Sequence, residues 1–471
     1  MPLRLKMLTD EQCQLFHEAS VKILSETGVR FFKPEAVELL KSHGAKVDGN
    51  LVRIPASLLD ECIKSCPREF TWTGFSGQRS VNVRREPLIQ PAVGPVFIQD
   101  IENGRRPACA EDYKNVIKLM HAIDVVDING GLPVDVGELP SEKRYLFMME
   151  AMLPHTDKPL VGFCLNKQLV NQTMGVFESA AGDDDIWEKG HFLASVCTPL
   201  SPLAVDEDTI DTVMLYAKRN QIVMSASCIM AGLTGPINPL GTAVLQNAEI
   251  LSGLVLAQCV RPGCPVLYSV ASVAGYMKDG SFGGGSPEAM MIHGPCIQAA
   301  MDLYDLPIRT MTGINSAKEA DYQAGMETGM SALLSALIGG GEWPQCMGVL
   351  DDIMTLSYEK LILDRDAISR ALHVRKGLEF SEEALSVDLI SEVGPQGSYL
   401  THPDTFKNFS KLWTPKYMNW ESRANWEKNG SLSLLEKANK EYKRLLAESP
   451  ETLLSPDQEK ALSRAVEKFA I

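Results

Sequence analysis

Residues 311–341, MTGINSAKEADYQAGMETGMSALLSALIGGG, decide how the rest of the chain is read. An apolar run at 306–311 leads into a polar turn containing Asn315, Ser316 and Lys318. Glu319 and Asp321 then open a long helix of small residues that ends in three glycines. A buried strand, a polar loop and a covering helix make one βα unit of a parallel sheet. Ligands of such sheets bind at the carboxyl ends of the strands, where this polar cluster falls.

Working outward, the same unit recurs. Short apolar runs at 125–128, 160–164, 192–196, 222–225, 265–270, 307–311, 345–349 and, faintly, 377–380 read as strands. Helical stretches such as 143–153, 209–219, 243–259 and 287–303 separate them. Eight strands alternating with helices is the count of a closed (β/α)8 barrel, and the faint eighth run leaves a doubly wound sheet as the alternative. The expected fold class is α/β: a (β/α)8 TIM-type barrel over 111–420, after an α+β extension over 1–110 and before C-terminal helices over 421–471. In the extension, Thr9-Asp10-Glu11-Gln12 reads as a capping box and Asp48-Gly49-Asn50 as a hairpin turn. Ser455-Pro456-Asp457-Gln458 caps the last helix, and the two terminal helices are expected on the barrel or on another subunit.

Composition narrows the function. A chain of 471 residues with 45% hydrophobic content buries a large core. A net charge of −15 opposes nucleic acid as a partner, because phosphate binding needs a basic surface. The 11 cysteines form no CxxC pair, and Cys62/Cys66 and Cys259/Cys264 lack a histidine placed for zinc. Reduced thiols, an amino terminus without an apolar signal core and no long uninterrupted apolar run give a cytoplasmic protein with no membrane span as the expectation.

Familiar catalytic signatures are missing: there is no P-loop, GxGxxG, GxSxG or HExxH, and the eight histidines are scattered. Asp183-Asp184-Asp185 reads as a solvated turn. The loops after the strands are rich in glycine, and Gly232, Gly275, Gly313 and Gly348 are candidates for the close approach of a bulky ligand, although surface turns use the same residue. Lys318 is either a Schiff-base amine or the partner of Glu319 or Asp321 in an ion pair.

Ser316-Ala317-Lys318 and Asp321-Tyr322-Gln323-Ala324-Gly325 carry a family resemblance. So do Gly397-Ser398-Tyr399-Leu400, His402, Phe409 and Trp413-Thr414-Pro415. From near the amino terminus to about Trp420 the chain resembles the trimethylamine and quaternary-amine:corrinoid methyltransferases. The resemblance implies a barrel that passes a methyl group from an amine to Co(I) of a corrinoid held by a separate small protein. The trimethylamine branch uses pyrrolysine, whereas this chain has only standard residues, which points to glycine betaine, proline betaine or carnitine as substrate. A quaternary nitrogen is already cationic and leaves as a neutral amine, so no general acid or nucleophile is expected from the protein and no metal bound by it. An ammonium site needs aromatic faces, with Phe97, Phe163, Tyr268, Tyr276, Tyr399 and Trp413 as candidates. Donors for a substrate carboxylate are sought in Asn315, Lys318, Arg309 and His402, and Asp351 either faces the ammonium or caps a helix. The corrinoid protein and the quaternary amine are the expected partners, in a homo-oligomer. The rivals are a (β/α)8 lyase or aldolase using Lys318, and a scaffold that only binds a corrinoid protein.

Overall fold

Eight short strands run parallel at the centre of the computed structural model, which describes residues 3–84 and 87–470. They are β1 (Leu88–Ile89), β2 (Asn129–Gly130), β3 (Leu160–Val161), β4 (Leu193–Cys197), β5 (Ile222–Ser227), β6 (Val266–Val270), β7 (Ile308–Thr310) and β8 (Glu342–Trp343). Their order across the sheet is β1-β8-β7-β6-β5-β4-β3-β2, so chain order is kept except where β1 lies beside β8. The two edges also meet: Ile89 O accepts hydrogen bonds from the N–H groups of Asp127 (2.9 Å) and Ile128 (3.1 Å), just before β2. Asp127 returns the contact, its Oδ2 accepting from Ile89 N at 2.9 Å. The protein is mixed α/β.

The strand expected at 377–380 does not form. Leu378 and Phe380 are 89% and 87% exposed, in a segment that leaves the helix Tyr358–Arg375 without returning to the sheet. Its place is taken by β1, from the stretch assigned to the leading extension. Two residues between Pro87 and Pro91 are too short an apolar run to stand out. The strand expected at 345–349 lies earlier, at β8, where an inward glutamate breaks the apolar pattern.

The inner face of the sheet carries Leu88, Val161, Ala194, Ile222, Met224 and Leu267, packed together with Ile128. Phe70, Trp72 and Val83 of the hairpin Phe70–Thr73/Ser80–Val83 join this cluster. Trp72 Nε1 donates to Phe192 O (3.2 Å) at the start of β4, so the hairpin plugs the amino ends of the strands. The outer face packs on helices. The longest of these, Pro239–Val260, is apolar on nearly every side because it is wedged between sheet and leader; Asn238 caps it and Pro239 occupies its first turn. Among the described residues it is the helix long and apolar enough to cross a membrane, and 83% of its apolar window is buried inside the fold.

Insertions at the carboxyl ends build two small sheets. Chain leaving β1 and β8 forms Phe97–Asp100 and Gly104–Pro107 beside Val349–Leu350 and Thr355–Ser357. Chain leaving β5 and β6 forms Met230–Ala231, Val273–Tyr276 and Ser281–Gly283. The expected capping boxes at Thr9/Gln12 and Ser455/Gln458 are both present. The terminal helices Leu434–Glu448 and Pro456–Phe469 pack on the body: Asn439 Nδ2 donates to Glu359 Oε1 (2.9 Å), and Phe469 O accepts from Gln172.

Candidate active site

The loop after β7 and the loop after β8 are laced together at the carboxyl face. Ala317 O accepts from Asp351 N (2.8 Å) and Asn315 O from Asp352 N (3.0 Å). Asp351, Asp352 and Ile353 all hold positive φ angles, 54°, 52° and 80°. Three successive non-glycine residues in the left-handed region are strained, and such strain persists where surrounding contacts over-determine it. Gly313 has φ +76°, and a Cβ there would sit 2.7 Å from the backbone of Cys346, so only glycine lets the two loops approach.

Side chains complete the lacing. Lys318 Nζ lies 2.6 Å from Asp351 Oδ1 and 3.8 Å from Asp352 Oδ2. Partial burial works against the ammonium, yet the two aspartates outweigh it and raise its pKa. The alternative partners are engaged elsewhere: Glu319 accepts from Gln99, and Asp321 caps the helix Tyr322–Ile338. The far oxygen of Asp351 meets Arg105 Nη2 at 3.3 Å, and the Arg105 guanidinium lies 3.5 Å from the centre of the Phe97 ring. Asp352 Oδ1 accepts from Ser316 Oγ (2.6 Å) and from Gly284 N (2.9 Å), which ties the two small sheets together. Burial raises the Asp352 carboxyl against these donors.

Of the residues expected at a substrate site, Phe97, Asn315, Lys318 and Asp351 therefore stand in one cluster. Asn315 is a brace, fully buried with Nδ2 donating to Val349 O at 2.7 Å. Phe163 is buried two residues past Val161, edge-on to Tyr145 with centroids 5.2 Å apart. Tyr268 is not in the cluster. Leu267 faces inward, so alternation sends Tyr268 into the helix layer, where its hydroxyl donates to Asn247 Oδ1 at 2.7 Å. Tyr399 and His402 lie on the outer C-terminal segment. His402 caps its own short helix through Nδ1 and has Nε2 3.6 Å from Glu392. Among the described residues the chain does not re-enter the sheet after Arg375, which is why these two are carried away. Trp413 is held outside too, by Ser369 and beneath Arg370.

The four glycines divide into two pairs. Gly313 serves the loop–loop contact with Cys346, and Gly348 the approach of its loop to Leu361 of the helix Tyr358–Arg375. Gly232 and Gly275 sit in the second small sheet, where a Cβ would strike Ile237 and Met277 from the first position and Leu233 from the second. Leu233, Ile237, Tyr276 and Met277 form an exposed apolar surface there.

Inside the sheet lies a polar layer of which the sequence offered only Arg309, as a possible carboxylate donor, and neither of its partners. Register places Ser269, Arg309 and Glu342 side by side across β6, β7 and β8. Arg309 Nε lies 2.6 Å from Glu342 Oε2 and its Nη1 donates to Ser269 Oγ at 3.0 Å. The guanidinium keeps its charge at any accessible pH, while burial pushes the Glu342 carboxyl up to about 7 against the pull of Arg309. A charged residue within an expected barrel strand was the available signal.

The family model described as trimethylamine methyltransferase (MTTB) matches residues 2–469. The chain belongs to that family. A glycine betaine methyltransferase of Desulfitobacterium hafniense is 32% identical over 453 residues, 96% of this chain and 94% of that protein. A proline betaine:corrinoid methyltransferase of Eubacterium limosum is 30% identical, covering 98% of each. Among solved structures, the monomethylamine methyltransferase of Methanosarcina barkeri superposes with a TM-score of 0.56 at 14% identity, over 93% of this chain and 88% of that one, a likeness of fold.

Proposed function

We propose that the chain moves a methyl group from a betaine-type quaternary amine to the cobalt of a corrinoid carried by a partner protein. The carrying observation is likeness along nearly the whole chain to betaine methyltransferases at 30–32% identity. The eight-stranded sheet, with its edges bonded at Ile89, is read as a closed (β/α)8 barrel whose carboxyl face is the site.

Cobalt of the corrinoid supplies the nucleophile. The chain's own task is to hold the substrate with one methyl group toward the mouth and to exclude water. Phe163 and the Phe97–Arg105–Asp351–Lys318 chain are proposed as its walls, and Asn315 as the brace between loops. The face of Phe97 is already covered by Arg105, and Asp351 is shared between Lys318 and Arg105, so these groups shape the wall and other surfaces must meet the substrate cation. The apolar surface around Gly232 and Gly275 fits the flat face of a macrocycle brought by the partner. No residue is needed to donate a proton, because the leaving amine departs neutral.

The lyase reading fares worse on one observation: a Schiff-base lysine must lose its proton, and the pairing of Lys318 with Asp351 and Asp352 opposes this. Assembly into a homo-oligomer belongs to the same proposal, supported by Leu378, Phe380, Leu400 and Phe406, each at least 80% exposed. The test of function is methylation of free cob(I)alamin, followed by its spectrum, with glycine betaine, proline betaine and carnitine. Turnover of one of them is expected; inertness toward all three favours the binding scaffold.

A further inference from the structure

Glu342 pairs in register with Leu88, which faces the interior, so Gln90 stands on the same face two residues nearer the carboxyl end. Gln90 is fully buried, and neither its Nε2 nor its Oε1 has a hydrogen-bond partner among the described residues. Glu342 Oε1, just below it, is likewise buried and unpartnered. Buried polar groups in native proteins are matched by protein, water or ligand. A donor, an acceptor and a carboxyl oxygen left open together on one wall call for a polar occupant.

The reaction fixes which end of a substrate faces this wall. The partner-borne corrinoid approaches from the carboxyl face, so the transferred methyl group points to the mouth. The other end of the molecule then points down the sheet interior. We infer that Gln90, with the Arg309–Glu342 pair beneath it, forms the subsite for the carboxylate of the betaine. This rests on the methyltransferase reading and deepens it. Gln90 Nε2 donates to the carboxylate, and Arg309 supplies the compensating positive charge from below. Glu342 is suited to the place because burial favours its protonated form, which donates to a second carboxylate rather than repelling it. Nothing in this arrangement uses Lys318, whose ammonium is committed at the rim.

Gln90→Met keeps the volume and removes both polar atoms; Gln90→Glu keeps the shape and adds a charge. Binding of the betaine found active in the cob(I)alamin assay is measured by calorimetry on the full chain, with thermal midpoints alongside. Expected is a tenfold to hundredfold weaker affinity in Gln90→Met and a larger loss in Gln90→Glu, with the Gln90→Met midpoint unchanged or raised. Unchanged betaine affinity in Gln90→Met overturns the inference while leaving the methyltransferase reading standing, and assigns the amide to a buried water. A lowered midpoint with affinity lost in proportion also overturns it, as a structural role. A wild-type protein that neither binds nor demethylates any of the three betaines overturns both.

Discussion

Lys318 Nζ sits 2.6 Å from Asp351 Oδ1, thirty-three residues away in the chain, and not against the neighbouring Asp321. The contact crosses from the loop after β7 to the loop after β8. It pins a stretch of backbone that holds three left-handed residues in succession. The lysine therefore works on loop geometry more than on a ligand.

Lys318→Met is expected to change betaine affinity less than threefold. Its side chain is two-thirds exposed, and such pairs contribute about 0–1 kcal/mol, so a small fall in thermal midpoint is expected. Calorimetry and melting on one preparation check this. A tenfold loss of affinity would give Lys318 a direct contact with the substrate in place of its role in the wall.

Arg309→Met leaves Glu342 without its partner, a stranded carboxylate wherever the pH is high enough to ionise it. Removing one partner of a buried pair costs about 3–5 kcal/mol. The sign with pH follows from Glu342, whose folded-state pKa is raised from 4.5 to about 7. The folded state then holds a proton that the unfolded state has released, so stability falls as pH rises from 4.5 through 7. Without the arginine this slope steepens. Urea melts at pH 6 and pH 8 should find the variant distinctly less stable at the higher pH, and Arg309→Met/Glu342→Leu should lose the difference.

His293 is fully buried, and desolvation lowers its pKa to about 4, with a backbone contact at Ser272 in opposition. The unfolded chain takes up a proton near 6.5 that the folded state refuses until about 4. Stability is thus present above 6.5 and lost as pH falls through that window, by roughly 3 kcal/mol if the shift is fully expressed. His293→Gln should flatten the acid limb of the midpoint against pH; an identical limb in both proteins would show that other groups govern acid unfolding.

Phe380→Ser/Phe406→Ser should lower the molar mass seen by light scattering while leaving the melting curve intact, since both rings lie outside the core. Removing residues after 431 is expected to act differently. Gln172 and Glu359 would lose their bonds to Phe469 and Asn439, and the body itself would destabilise. Unchanged mass in the double variant would place the subunit contact elsewhere.

The sequence by itself determined most of the periodic architecture. Strands β3 to β7 came from apolar runs long enough to show, and the capping boxes from side chains that bond within four residues. The stretch 311–341 marked the polar loop at the right end of the sheet because a βα unit is local. What only tertiary structure decided involves partners far apart in the chain. A two-residue strand such as β1 is defined by its neighbours β8 and β2 and not by its own composition. Whether Tyr268 faces the axis or the helices is invisible in a run where every position is buried, since both faces of a parallel strand are apolar. The pairing of Lys318 with Asp351, and of Arg309 with Glu342, depends on strand order and register, which place residues dozens of positions apart within 3 Å. A local reading assigns such charges to their nearest neighbours, whereas the fold brings loop to loop for Lys318 and strand to strand for Arg309, where burial also leaves no water to take the partner's place.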